Sequence, residues 1–412
     1  ERDSKFAAKI YEGHVKTGFP NFVAVQWNKT RPDRIINTAK AFKNIAQVGA
    51  SLQSLSDDVL RAIKRKNLTM EQIALMRKEL KSIGTKEKIY SELIIGLPYE
   101  TRESHLKANR ELIDLNFEVQ NYNLHLLPGT EMYDEESRKK YFKKTGWRLY
   151  DNGYGIYDGE KIFEGEETVL ETNSLSTEDF SYFRFYHFLQ QMMWSKKWYF
   201  DYLKFLKSYQ IHPVVVFDKI IEKCKKDDGE IGILYAEFMK NYHEAERFSK
   251  FEELRKYWGK DENFDLLEKG NYGKLNMFYT FKIILRHKEA FNNFLVEVAK
   301  ELVKIPNNEI NNFTKLCKEI VKFQTSTFVR IDNKLNITSE ITQRFKYDFL
   351  EWKQKGYGKL EKLKKEKHYK FFISNKNKDV LDNQFRQYMS SNINSTLQMM
   401  SVNADPYQFF YE

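Results

Sequence analysis

Cysteine is almost missing from this chain: Cys224 and Cys317 are the two it has, far apart in sequence. That scarcity excludes a disulfide framework and any multi-cysteine metal site built from these residues alone. It fits a reducing compartment, the cytoplasm, and both residues read as small core side chains. Long apolar runs are missing as well. The most conspicuous, Val214-Val215-Val216-Phe217, is a fraction of the roughly 20 residues that cross a bilayer, so no membrane span is expected. No signal-peptide pattern is visible. Glu1-Arg2-Asp3 stands where a methionine would open a gene product, which leads us to expect the natural start upstream. No internal repeat is found. The paired carboxylates Asp57-Asp58 and Glu166-Glu167 have no metal-ligand partners at useful spacing.

Aromatic side chains are plentiful, with 32 Phe, 25 Tyr and 6 Trp making up 15% of the chain. Hydrophobic residues reach 41% of 412, enough for wide packed cores and for two or three domains. The net charge is +10, one footprint of nucleic-acid binding. The lysines, however, are scattered among glutamates on helix faces, which is how solvated surfaces read, so nucleic acid is not expected as a partner. The run Lys359 to Lys370 reads the same way, as a charged helix surface.

Residues 1–135 alternate between two periods. Phe6, Ala7, Ile10, Tyr11 and Val15 share one face of a helix over 4–17, stopped by Gly18 and Pro20. Phe22 to Trp27 reads as a strand, and Pro32 opens a helix to about Lys43. Strand Val48–Leu52 follows, then a short helix capped by Ser56 and a longer one capped by Thr69. Ile89–Ile95 is a strand, Thr101 caps a helix to about Leu115, and Val119–Leu127 is a strand. Repeated βα units of this length build a parallel sheet with right-handed crossovers. Four strands alone leave two raw edges, so either more sequence closes a barrel or the sheet is open and covered. Residues 136–175, rich in glycine and aromatics, read as an irregular, partly β connector or lid. Residues 176–412 read as a helical C-terminal domain. Ser176 starts a long aromatic helix over 180–206, and amphipathic helices follow over 213–226, 230–256, 273–303, 308–324 and 339–367. The end, from Asn375, mixes a helix with an aromatic tail.

In α/β barrels the strand C-termini carry the site. The four strand ends deliver Gln26, Trp27, Asn28 and Lys29; then Ser51, Gln53 and Ser54; then Glu92, Gly96, Pro98 and Glu100; then Asn123, His125, Pro128 and Gly129. Polar groups converging from separate strands make a polar pocket. Gln53 and Glu92 suit the hydroxyls of a ribose. Arg65 suits a carboxylate. Ile94-Ile95 and Leu126-Leu127 offer backbone groups and apolar surface to an adenine. Plainer readings stand beside these. Arg65 sits within Lys64-Arg65-Lys66, and local composition alone favours a solvated helix charge. His125 is a proton donor at the mouth or a rim histidine. His187 and His212 are structural, and the aromatic stripe over 180–206 is core.

The stretch from Leu52-Gln53-Ser54 to Ile63-Lys64-Arg65-Lys66-Asn67 resembles the fourth-strand segment of radical S-adenosylmethionine (radical SAM) enzymes. Tyr90 to Thr101 is similar to their fifth-strand segment, and His125 to Tyr133 to the sixth strand and its exit. The subgroup carrying an upstream cobalamin-binding domain matches best. The resemblance implies the last four strands of a (β/α)6 barrel followed by a mainly helical domain. It assigns Gln53 to cofactor contact, Arg65, twelve residues on, to the carboxylate of S-adenosylmethionine, and Glu92 to its ribose. Gln26, Asn28, Ser51, Ile94, Gly96, His125 and Leu126 complete the expected pocket. Gln26 stands where many relatives carry a carboxylate. The resemblance also implies a [4Fe-4S] cluster, whose three-cysteine loop is not in this sequence, and, for the cobalamin-linked subgroup, cobalamin. It further implies a 5′-deoxyadenosyl radical acting on a small-molecule or peptide substrate, with a reductant protein such as a flavodoxin or ferredoxin. The rival reading is a cluster-less barrel serving as a binding or scaffold protein.

Overall fold

The structure, a computed structural model, describes residues 2–20, 23, 25, 27, 31–46, 48–82, 89–268, 275–332, 334, 336–358, 360, 362–388 and 410–411. It is mixed α/β, with a parallel sheet near the start and a helix-rich remainder. The chain divides into two compact units, residues 1–145 with 168–180, and 146–167 with 181–412. Each is described by itself. Among the described residues, no helix is long and apolar enough to cross a membrane.

The first unit begins with α1 (Arg2–Thr17) and α2 (Pro32–Phe42), which bury Ala7 and Phe42 in one small cluster. Then come β1 (Val48–Gln53), α3 (Asp57–Ala62), α4 (Met70–Ser82), β2 (Ile89–Ile95), α5 (Arg102–Asp114) and β3 (Glu118–Asn123). The strands lie parallel in the order β1-β2-β3. Val23 makes a parallel bridge to Ala46 just ahead of β1, on the segment expected as a further strand. The rest of that expected strand, including Gln26 and Asn28, lies outside the described residues.

The helix starts follow their caps. Thr69 and Gln72 exchange hydrogen bonds at 3.0 and 3.3 Å, and Thr101 and Ser104 do so at 2.9 and 3.1 Å. Ser56 is a correction: it holds the cap position of α3, but its side chain makes no capping bond. The strand expected over Val119–Leu127 is also shorter. After Asn123 the chain changes partner, and His125 bridges Thr168 antiparallel.

After β3, α6 (Glu135–Tyr141) breaks the segment expected to be irregular, and two long strands, β4 (Phe142–Tyr157) and β5 (Glu160–Thr172), form a two-stranded sheet. The unit boundaries fall within both strands and again within α7 (Thr177–Gln190).

The second unit holds α8 (Phe200–Ser208), α9 (Pro213–Cys224), α10 (Glu230–Ala245), α11 (Phe251–Trp258), α12 (Asp261–Glu268), α13 (Leu275–Arg286), α14 (Lys288–Leu302) and α15 (Asn307–Ser326). The single aromatic helix expected over 180–206 is interrupted. A π-helical turn over Gln191–Ser195 and a left-handed Lys197 (φ 62°) separate α7 from α8. That break lets Trp198 and Tyr199, adjacent in sequence, both be fully buried. The helices expected over 230–256 and 273–303 are each split in two.

The largest correction is at 339–367. There β6 (Glu340–Tyr347), α16 (Phe349–Gln354) and β7 (Lys362–Phe372) replace the expected helix, and β6 and β7 pair antiparallel. Exposed Glu340, Thr342 and Arg344 alternate with half-buried Ile341 and Gln343 and buried Phe345, a two-residue period. The described part of the lysine run 359–370 is thus mostly strand, not helix surface; Tyr369 and Phe371 of β7 pack against Phe323. Last comes α17 (Asn375–Tyr388).

Candidate functional site

The three parallel strands carry different side chains on their two faces. Val48, Leu52, Leu93, Ile95 and Val119 are buried on one face. The other face carries three rows set by the register: Gly49–Tyr90–Glu118, Ser51–Glu92–Gln120 and Ile94–Tyr122. Its side chains are half-buried or exposed. A parallel strand with both faces covered reads as a continuous apolar run. Here one face is polar, so it is the face on which chemistry can be placed.

The middle row is bonded across strands. The Ser51 hydroxyl donates to the Glu92 carboxylate. The Arg65 guanidinium donates to the Ser51 carbonyl, and its Nε donates to Asn67 Oδ1 at 3.0 Å. The Asn67 amide then donates to the carbonyls of Leu52 at 2.7 Å and Ser54 at 2.8 Å. Arg65 is therefore half-buried and tied to the exit of β1, not a solvated charge. Burial pulls its guanidinium below the ordinary arginine value, and Glu92 pushes it back up.

Gln53 ends β1 at a break in register: Ser51 faces Glu92 but Gln53 faces Leu93, leaving Leu52 as an extra residue. Gln53 has φ 63°, a left-handed conformation uncommon for residues other than glycine. It therefore does not continue the row of Ser51. Tyr90 crosses Gly49 so closely that a Cβ there would lie 2.1 Å from its ring. Burial raises the Tyr90 and Tyr122 phenols, and the Glu92 charge adds to both shifts.

The remaining expected residues are placed differently. Gly96 turns the chain out of β2 with φ 95°, and a Cβ there would meet the Phe180 ring at 3.0 Å. Ile94 is half-buried opposite Tyr122. Leu126 is buried, and His125 is paired with Thr168, so this pair does not form an open strand end.

Glu100 is 1% exposed and belongs to no open surface. The hydroxyls of Ser54 (2.7 Å) and Ser104 donate to its carboxylate, and Ser174 donates to its carbonyl at 2.7 Å. Burial raises its carboxyl above the usual glutamate value, against the two serine bonds. It clamps the exit of β1 to the start of α5. Gln120, Tyr122 and Tyr90 share the open face with Glu92 but were not expected in the site. Their signal was the two-residue period along β2 and β3.

No protein-family profile matches the chain. It is 30% identical over 200 residues to the cobalamin-dependent radical SAM methyltransferase TokK of Streptomyces tokunonensis, a match covering 46% of this chain and 28% of that protein. It is 26% identical over 261 residues to the 2-(S-pantetheinyl)-carbapenam-3-carboxylate methyltransferase of Streptantibioticus cattleyicolor, covering 59% of this chain and 36% of that protein. The chain thus spans about a third of the length of the curated relatives it matches. These matches bear out the resemblance drawn from the strand segments.

Proposed function

We propose, on the premise that this chain is a relative of the cobalamin-linked radical SAM enzymes, that its first unit carries one side of an S-adenosylmethionine pocket on a partial barrel. The observation that carries this reading is the Arg65–Ser51–Glu92 chain of hydrogen bonds on the open face of β1 and β2. Glu92 is the ribose group: its carboxylate oxygens accept vicinal hydroxyls, at about 1.5–3 kcal/mol per charge-assisted bond. Ser51, donating to Glu92, fixes the carboxylate's direction. Arg65 uses Nε and one terminal nitrogen on the protein itself, and a guanidinium has further N–H donors for a carboxylate. Ile94 and Tyr122, side by side beyond Glu92, give the adenine its apolar contact. Gln53 and Gly96 shape the rim.

S-adenosylmethionine supplies the reactive fragments; these residues bind it, orient it and shelter it. The chain's own thiols do not fit an iron–sulfur cluster. Cys224 and Cys317 are both buried, and burial pushes each thiol up to about 12. Among the described residues, no group of three or more His, Cys, Asp or Glu is arranged to hold a metal. Neither thiol is therefore assigned to the cluster. Methyl transfer is the reaction that both relatives' names support, and a small-molecule or peptide substrate is the class expected.

The test is calorimetric titration of the chain with S-adenosylhomocysteine, which needs no cluster. Saturable binding is expected, weakened roughly tenfold or more by Glu92→Gln and by Arg65→Ala. Absence of binding, or unchanged affinity in both variants, overturns the assignment.

A further inference from the structure

The second unit contains a cavity of about 430 Å³ between α14 and α15, lined among others by Lys288, Asn292, Lys318, Lys322, Arg330 and Glu289. Four cationic side chains thus meet one carboxylate around a space of small-molecule size. Several cations of this unit are paired with carboxylates. Lys219 and Lys223 share Glu301, Lys282 holds Glu237, and Lys353 reaches the buried Asp201 at 2.9 Å. Lys288, Lys318 and Arg330 make no ion pair among the described residues. Lys322 donates to the Arg344 carbonyl at 3.1 Å and stands over the Phe345 ring.

Gathering like charges around a partly enclosed space costs stability, because each raises the field felt by the others. At Lys288 the main cost is burial. Burial holds its ammonium below the ordinary lysine value; Glu289 opposes that shift and Arg330 adds to it. Asn292 stands against this cluster in a fixed position. The Tyr199 hydroxyl donates to its Oδ1 at 3.1 Å, and its amide donates to Thr325 Oγ1 at 3.4 Å. The wall is thus set before any ligand arrives, which lowers the ordering cost of binding. Cations gathered around a space with one wall already set are what recognition of an anion requires.

We propose that this cavity binds a small, multiply charged anion whose charge is carried on phosphate or carboxylate oxygens. The inference does not depend on the pocket proposed in the first unit. Its occupant lies on Lys288, Lys318 and Arg330, with Asn292 as the neutral contact.

The test is titration of the chain with inorganic pyrophosphate and, separately, citrate, at fixed ionic strength, followed by calorimetry and by thermal unfolding. Saturable binding of one or both is expected, and the preference between them identifies the oxygen class. Lys318→Gln and Arg330→Gln should each weaken it roughly tenfold or more. Lys288→Met should also weaken it without lowering the unfolding temperature, since it removes a partly buried ammonium. Lys300→Gln, at a lysine paired with Glu297 on the same helix, should leave binding unchanged. A response matched by potassium chloride alone overturns the proposal. So does binding that survives Lys318→Gln and Arg330→Gln, or binding of an oligonucleotide but of neither small anion.

Discussion

On one face of β1-β2-β3, His105, Asn109 and Asn121 are packed between α5 and β3; on the other, Ser51, Glu92 and Gln120 stand half-open. The packed set turns inward. Asn121 donates to Asn109 at 3.3 Å, and Asn109 donates to the His105 carbonyl at 2.8 Å. Burial drives the His105 imidazole down to about 3, so it is neutral, with Asn121 only partly offsetting the shift. The half-open set keeps acceptor capacity for something outside the protein. Strongly shifted titration is often read as a mark of a functional site. In this unit the strongly shifted group is His105, and it is sealed. Exposure and row geometry, not the size of a shift, single out Glu92.

Breaking the sealed set should cost most. Asn109→Leu leaves the Asn121 amide facing an apolar side chain, and we expect a loss of about 3 kcal/mol, read as faster hydrogen exchange over β2 and β3 in the full chain. No change in protection there would mean the polar packing does not hold the sheet.

Acid comes next. His105 has its folded value below 6.5, so its contribution is complete above pH 6.5 and is lost as pH falls toward 3, because only the unfolded chain takes up the proton. By pH 5 the loss is about 2 kcal/mol, and His105→Gln should flatten the profile. Glu100 works in the opposite sense: its raised value favours the folded form as pH falls through that value toward the ordinary glutamate value of 4.5. Combining Glu100→Gln with the histidine measurement isolates the imidazole.

On the open face the effects on stability shrink and the effects on ligand grow. Gly49→Ala forces the Tyr90 ring aside, at about 1–2 kcal/mol, and should change S-adenosylhomocysteine affinity through the neighbouring row. Ser51→Ala should alter stability by about 0.5 kcal/mol or less and still weaken that ligand severalfold. Equal effects of Ser51→Ala and Asn109→Leu on stability would erase the distinction between the faces.

The βα alternation was legible because the strands are short and two of the helix starts, Thr69 and Thr101, bond as their sequence suggests. Residues 339–367 were misread. Their lysine and glutamate content matches a solvated helix, and the two-residue period of Ile341, Gln343 and Phe345 is brief. Within the site, the face of Glu92 was recoverable from its buried neighbours Ser91 and Leu93. The burial of Glu100 was not, because Ser54, Ser104 and Ser174 meet only in space. Nor was the turn of Gln53, since nothing local announces a left-handed glutamine.

The extra residue at Leu52 has one more consequence. Up to Ser51, the chain keeps step with β2; from Gln53 onward it is half a stride out. Leu52 itself is a buried side chain that a similar apolar residue could replace. Removing it would be another matter, because the side chains after it would swap sides of the sheet and the lead into α3 would leave in the opposite sense. At this point the protein should forgive a change of kind and not a change of count.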